Sequence, residues 1–138
     1  TPIHQEAFVL VCRADHALAD AKVVTWSELD REILIKIGEQ TGNNLLIAAG
    51  LGGRYADLTW AYEVHRVATA IGMVRGGLGV TVVPRLAFQA ADEGKIVAVP
   101  LRAPSIARTI GIVTRRNHTL SPVAESLARM IQAYFNAL

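Results

Sequence analysis

Short apolar runs alternate with amphipathic stretches along this chain, the pattern of a domain that mixes strands and helices. Phe8 to Cys12 is a continuous apolar run, short enough for a strand buried on both faces. Ala14 to Leu18 reads as a turn. Thr25 and Glu28 have the spacing of a capping box, which starts a short helix through Leu29. Ile33 to Ile37 predicts a second strand ending at Gly38, and Leu45 to Ala49 a helix that Gly50, Gly52 and Gly53 terminate.

Tyr62 to Val67 predicts a third strand and Ala68 to Arg75 a second helix, closed by the glycines of 76–79. A fourth strand, Val80 to Val83, stops at Pro84, which has no N–H to donate to a ladder. A helix from Arg85 to Ala91 follows, then strands at Ile96 to Leu101 and Thr109 to Thr114. Ser121 with Pro122 has the form of a helix start. The last helix gathers Val123, Leu127, Met130, Ile131, Tyr134 and Leu138 on one stripe. Strands separated by single helices imply a largely parallel sheet flanked by helices.

Composition narrows the function. Of 138 residues, 51% are apolar and 19% charged, and the net charge is +2, so neither disorder nor a general affinity for nucleic acid is expected. Arg115 and Arg116 read as a solvated strand end. Cys12 is the sole cysteine, which excludes an intrachain disulfide and a cysteine-rich zinc site. His4, His16, His65 and His118 lack a second ligand at helical spacing, so no metal or cofactor is expected. No apolar run approaches the ~20 residues of a membrane span, and the N-terminus has no signal-peptide pattern.

Catalytic motifs are missing too. Gly77 and Gly79 follow a helix and precede a strand, the reverse of the order that cradles a dinucleotide phosphate. There is no Gly-x-Ser-x-Gly elbow, and Asp15 with His16 or Glu63 with His65 would be acid–base pairs without a nucleophile. An enzyme is not expected.

A binding site has more support. In open α/β sheets ligands sit beyond the carboxyl ends of the strands, where helix N-termini offer unpaired N–H groups to anions. Gly38, Gln40, Thr41 and Asn43 lie between a strand and a helix start, Arg66 and Thr69 flank the next helix start, and Pro84 ends the fourth strand. Thr41, Asn43 and Thr69 can cap their own helices, contact a ligand, or do both. Arg66 can pair with an anion or serve a surface or dimer contact. The polar character of Gln40, Thr41 and Asn43 suggests a small hydrophilic acid.

Taken in order, several stretches resemble the effector-binding domain of LysR-type transcriptional regulators. Phe8 to Ala19 resembles the family's strand and His-Pro-Leu-Ala turn, with Ala17 in place of the proline. Val24 to Leu29 resembles its next helix. Glu63-Val64, Thr69, the series from Val74 to Val80, and Val83-Pro84 resemble its Glu-Val, Val-x-x-Gly-x-Gly-Val and Leu-Pro motifs. Val97 to Leu101, Arg108 to Arg116 and Leu120 to Pro122 resemble its closing segments.

The resemblance implies one lobe of a type II periplasmic-binding-protein-like fold, residues 1–105. The returning strand and C-terminal helix of the other lobe would be residues 106–138, in a truncated fragment. It implies a small-molecule effector held between lobes, with this chain supplying the Gly38 to Thr41 loop, Arg66 and Pro84. It also implies a homo-oligomer through the Leu45–Ala49 helix and the Tyr62–Val67 strand. DNA would be bound only through an N-terminal winged helix-turn-helix that is absent here, in a cytoplasmic bacterial regulator without membrane contact. A fragment of a periplasmic solute-binding protein is the alternative.

Overall fold

The computed structural model describes residues 1–38, 41–88 and 94–138. Gln40 and the end of the helix expected over Arg85–Ala91 lie outside the described residues; Arg85–Ala87 forms a single 3-10 turn. The strands are β1 (Pro2–Arg13), β2 (Val24–Thr25), β3 (Leu34–Ile37), β4 (Trp60–Val64), β5 (Val80–Pro84), β6 (Ile96–Arg102) and β7 (Ala107–Gly111). The α-helices are α1 (Gly42–Leu51), α2 (Val67–Arg75) and α3 (Pro122–Asn136).

Sheet order is β2-β6-β1-β5-β3-β4, with β7 also pairing with β1. β4, β3 and β5 are mutually parallel, and β2 is parallel to β6. β1 runs antiparallel to both β5 and β6, inserted between two strands that share a direction. The sheet is therefore largely parallel, as the strand–helix alternation implied, with β1 the exception. No crossover helix precedes β1, so the hydrophobic pattern carries no information about its direction.

The unbroken apolar run in β1 follows from burial on both sheet faces. Phe8, Leu10 and Cys12 point to one side, where they join Trp26, Leu29, Leu34 and Ile47. Val9 and Val11 point to the other, against Ile35 and the α2 residues Ala70, Ile71 and Val74. β1 starts earlier than the apolar run, with Pro2 to Gln5 exposed or half-buried. A reading based on continuous burial does not see such a stretch.

Other boundaries moved for local reasons. Ile33 is half exposed and precedes β3, and the strand expected over Tyr62–Val67 ends at Val64 because Arg66 already starts α2. The closing strand lies at Ala107–Gly111 rather than Thr109–Thr114, leaving Arg115 and Arg116 exposed beyond its end. Glu28 accepts from both the N–H and the hydroxyl of Thr25, at 2.7 and 3.0 Å. The turn it starts is a 3-10 helix, Trp26–Arg31.

The chain forms two compact units. One is Ala7–Arg108; the other combines Thr1–Glu6 with Thr109–Leu138. Both core clusters are built from residues of the first unit alone. In the second, the Thr1 ammonium donates to the Ile112 carbonyl and the Ile112 N–H to that of Thr1. Ser121 caps α3 by accepting from Ala124 N–H, with Pro122 in the first turn, as the sequence indicated. Among the described residues no helix is long and apolar enough to cross a membrane.

Candidate functional site

Because β4, β3 and β5 are parallel, their carboxyl ends share one edge of the sheet, and α1 and α2 both begin there. The end of β3 is fastened to the end of β4 by a 2.7 Å bond from Gly38 N–H to the Val64 carbonyl. Gly38 takes φ +42°, where a Cβ would also crowd the Thr41 methyl, so glycine is the residue that fits. The turn this permits places Thr41 at the N-cap of α1.

Thr41 uses its hydroxyl internally. The oxygen accepts from Asn44 N–H at 3.3 Å, and the hydrogen faces the carbonyls of Ile37 and Gly38 at 3.0 and 2.9 Å. Thr41→Ala should therefore lower the unfolding free energy by about 1 kcal/mol, and Thr41→Ser should recover most of it, in urea denaturation. The Asn43 side-chain oxygen accepts from Arg108 Nη1 at 3.0 Å, and the buried Asn44 amide accepts from Tyr55 OH at 3.0 Å. Arg108 and Tyr55 lie 65 and 11 residues from their partners, so sequence spacing gave no hint of either bond.

At the start of α2, Arg66 is the N-cap without a side-chain cap, and its carbonyl accepts from the N–H groups of Thr69 and Ala70. Arg66 and Thr69 are exposed. His65 and Arg66 fall beyond β4, which ends at Val64. Pro84 is buried at the end of β5 and pairs with Phe8 of β1. The fold thus brings Gly38, Thr41 and Asn43 to one helix start, with Arg66 and Thr69 at the neighbouring one. Pro84 ends β5, the strand beside β3, on the same edge and is paired into the sheet.

The opposite edge carries a cleft of about 560 Å³ lined by Arg13, Asp15, His16, Arg31, Glu32 and Leu78, among others. The Arg13 guanidinium grips Asp15 through two bonds of 2.9 and 2.8 Å and holds its carboxyl below the usual carboxylate range. His16 Nδ1 accepts from Leu18 N–H, which leaves the ring hydrogen on Nε2, 3.0 Å from Glu32. Asp15 and His16 are therefore each engaged elsewhere rather than with one another. Glu63 faces Lys36 at 3.8 Å. Among the described residues no group of three or more potential ligands could hold a metal. Cys12 is fully buried, and burial, with the charge of Glu32 adding to it, pushes its thiol up to about 11. That is an inert thiol.

This arrangement belongs to the periplasmic-binding-like class of α/β domains. The family described as LysR substrate binding domain matches residues 1–136, and the chain belongs to it. It is 42% identical over 125 residues to the uncharacterized HTH-type transcriptional regulator YbhD of Escherichia coli K12, covering 91% of this chain and 39% of YbhD. The chain thus spans less than half the length of that relative. The reduced form of OxyR superposes with a TM-score of 0.71 at 26% identity, over 96% of this chain and 62% of that one. The effector binding domain of QuiR in complex with shikimate superposes with a TM-score of 0.69 at 15% identity, over 99% and 64%. The family expected from the ordered motifs is the family found.

Proposed function

We propose that this chain is the sensing part of a LysR-type transcription regulator and takes a small, hydrophilic, anionic metabolite at the carboxyl edge of β3, β4 and β5. The observation that carries this reading is the pairing of two helix starts by the Gly38–Val64 bond. Two sets of first-turn N–H groups, with their partial positive charge, then lie on one strand edge. The contacts are drawn from Gly38, Gln40, Thr41, Asn43, Arg66, Thr69 and Pro84. Arg66 is the strongest of them, since its exposed guanidinium makes no ion pair or hydrogen bond among the described residues.

The unit Ala7–Arg108 stands for the second lobe of the effector fold, and the C-terminal strand and helix for a part of the first. In the parent regulator, an effector touching this edge and the remainder of the domain favours one arrangement by its differential affinity, and the DNA-binding module reads that shift. Self-association runs through α1 and β4. β4 is the terminal strand of the sheet order, and Leu45, Leu46 and Tyr62 are exposed on these two elements. A dithiol switch within this chain is not available, because its one cysteine is buried.

Thermal unfolding with shikimate and a panel of small hydroxylated carboxylates and phosphates tests the site. A ligand at a hundred times its Kd should stabilise the protein by about 2.7 kcal/mol. Arg66→Ala should weaken binding roughly tenfold or more while leaving the unliganded transition in place. If no acid in the panel moves the transition, or if Arg66→Ala binds as the native chain does, the anion reading of this edge fails.

A further inference from the structure

The effector reading leaves the cleft around Arg13 unused. Its volume, about 560 Å³, falls within the ~300–1,000 Å³ typical of small-molecule sites. Every lining residue belongs to the unit Ala7–Arg108, so the cleft is complete within that unit. The chain crosses between the two units at Glu6–Ala7 and Arg108–Thr109. Both crossings lie near the end of β1 where Phe8 pairs with Pro84 and donates to the Ile106 carbonyl. The cleft gathers around Arg13, at the other end of the same strand.

Its charges are already positioned. A Cβ on Gly77 would stand 2.8 Å from Arg13 Nη1, so glycine lets the guanidinium lie against the backbone there. Arg13 Nε and Nη2 are bound to the Asp15 carboxylate, which leaves Nη1 as its remaining donor. Glu32 accepts from His16 Nε2 at 3.0 Å, and the ring is fixed by Leu18 N–H on Nδ1. Both carboxylates of the lining are therefore engaged. Arg31 is the unmatched charge: exposed at the end of the Trp26–Arg31 turn, its guanidinium makes no ion pair or hydrogen bond among the described residues. Ile33 and Leu78 line the same cleft and are 52% and 47% exposed. Either alone would be ordinary surface; two aliphatic side chains from separate segments beside an unmatched guanidinium form a site with an apolar part and an anion-binding part.

We propose that this cleft is a second ligand site and that it takes an amphipathic organic acid. The carboxylate sits on the Arg31 guanidinium, with Arg13 Nη1 as a second donor, and the apolar body covers Ile33 and Leu78. An adjoining cleft of about 360 Å³ shares Arg13 and Asp15 and adds Arg75 and Lys95. This edge thus carries four cationic side chains against two carboxylates, a field that favours anions. A cation would meet Arg31 unfavourably, and a wholly hydrophilic anion would leave Ile33 and Leu78 in water. The cleft shares no residue with the carboxyl-edge site, so a failed titration there leaves this proposal standing.

The test is an NMR titration of this chain with octanoate, compared with acetate, which lacks the apolar body, and octylammonium, which reverses the charge. Octanoate should shift the backbone amides of His16, Ile33, Leu78 and Gly79 saturably, and the other two should bind roughly tenfold more weakly or worse. Arg31→Ala should weaken octanoate roughly tenfold, and Leu78→Ser roughly three- to tenfold. Both variants should unfold at the native midpoint, since both side chains are exposed. No saturable shift at these amides, equal binding of octylammonium, or unchanged affinity in Arg31→Ala would overturn the proposal. So would shifts confined to Gly38, Thr41 and Arg66, which would seat the acid at the carboxyl edge instead.

Discussion

Trp26→Ala should remove about 3–5 kcal/mol from the unfolding free energy, a large share of what a domain of this size possesses. Trp26 is fully buried and packs in the cluster that joins β1 to Leu29, Leu34 and Ile47. Its indole N–H donates to the Pro104 carbonyl at 3.0 Å, across 78 residues of chain. Alanine would leave a cavity and an unpaired carbonyl together. Trp26→Phe keeps most of the packing and should cost less, about 1–3 kcal/mol, because the carbonyl alone loses its partner. Urea denaturation followed by far-ultraviolet circular dichroism separates the two. Near-equal losses would show that the hydrogen bond, not the volume, dominates.

Gly79→Ala should cost roughly 2–4 kcal/mol, far more than a glycine-to-alanine change normally does. A Cβ on Gly79 would overlap the Ile33 carbonyl oxygen and press on the Ile33 side chain. That same carbonyl accepts from Val80 N–H at 2.9 Å, where β5 begins to pair beside β3. Neither backbone can withdraw without opening the ladder. Gly72→Ala makes the contrast: it lies inside α2 with nothing within 4 Å of a new Cβ, and should stabilise by roughly 0.5–1 kcal/mol. A mild effect at Gly79, comparable to that at Gly72, would mean the close approach to Ile33 relaxes cheaply.

These two positions also show how differently the sequence exposes its information. Trp26 sits two residues before Glu28 in a pattern that marks a helix start, yet nothing near it names Pro104 as its partner. Gly79 reads as a helix stop, which accounts for Gly77, whose φ is +80°. The close approach that makes Gly79 necessary comes from Ile33, just ahead of β3 and more than forty residues earlier. The site follows the same division. Thr41 at a helix start and glycine before it are local signals, and both hold. The bond from Arg108 to Asn43 and the joining of the two helix starts depend on parallel pairing that spacing alone does not encode.

Most of the elements and the family are legible along the chain, because they follow from neighbouring residues or from ordered motifs. The 3.6- and 2-residue periods, the caps and the glycine stops act over a few residues, so they can be read along the chain. Tertiary structure alone decided that β1 enters between β5 and β6 against their direction. It also decided that the buried Trp26 indole finds the Pro104 carbonyl and that Arg108 reaches Asn43. Those outcomes are set by contacts between segments distant in the chain, where burial and hydrogen bonding choose partners that no local pattern specifies.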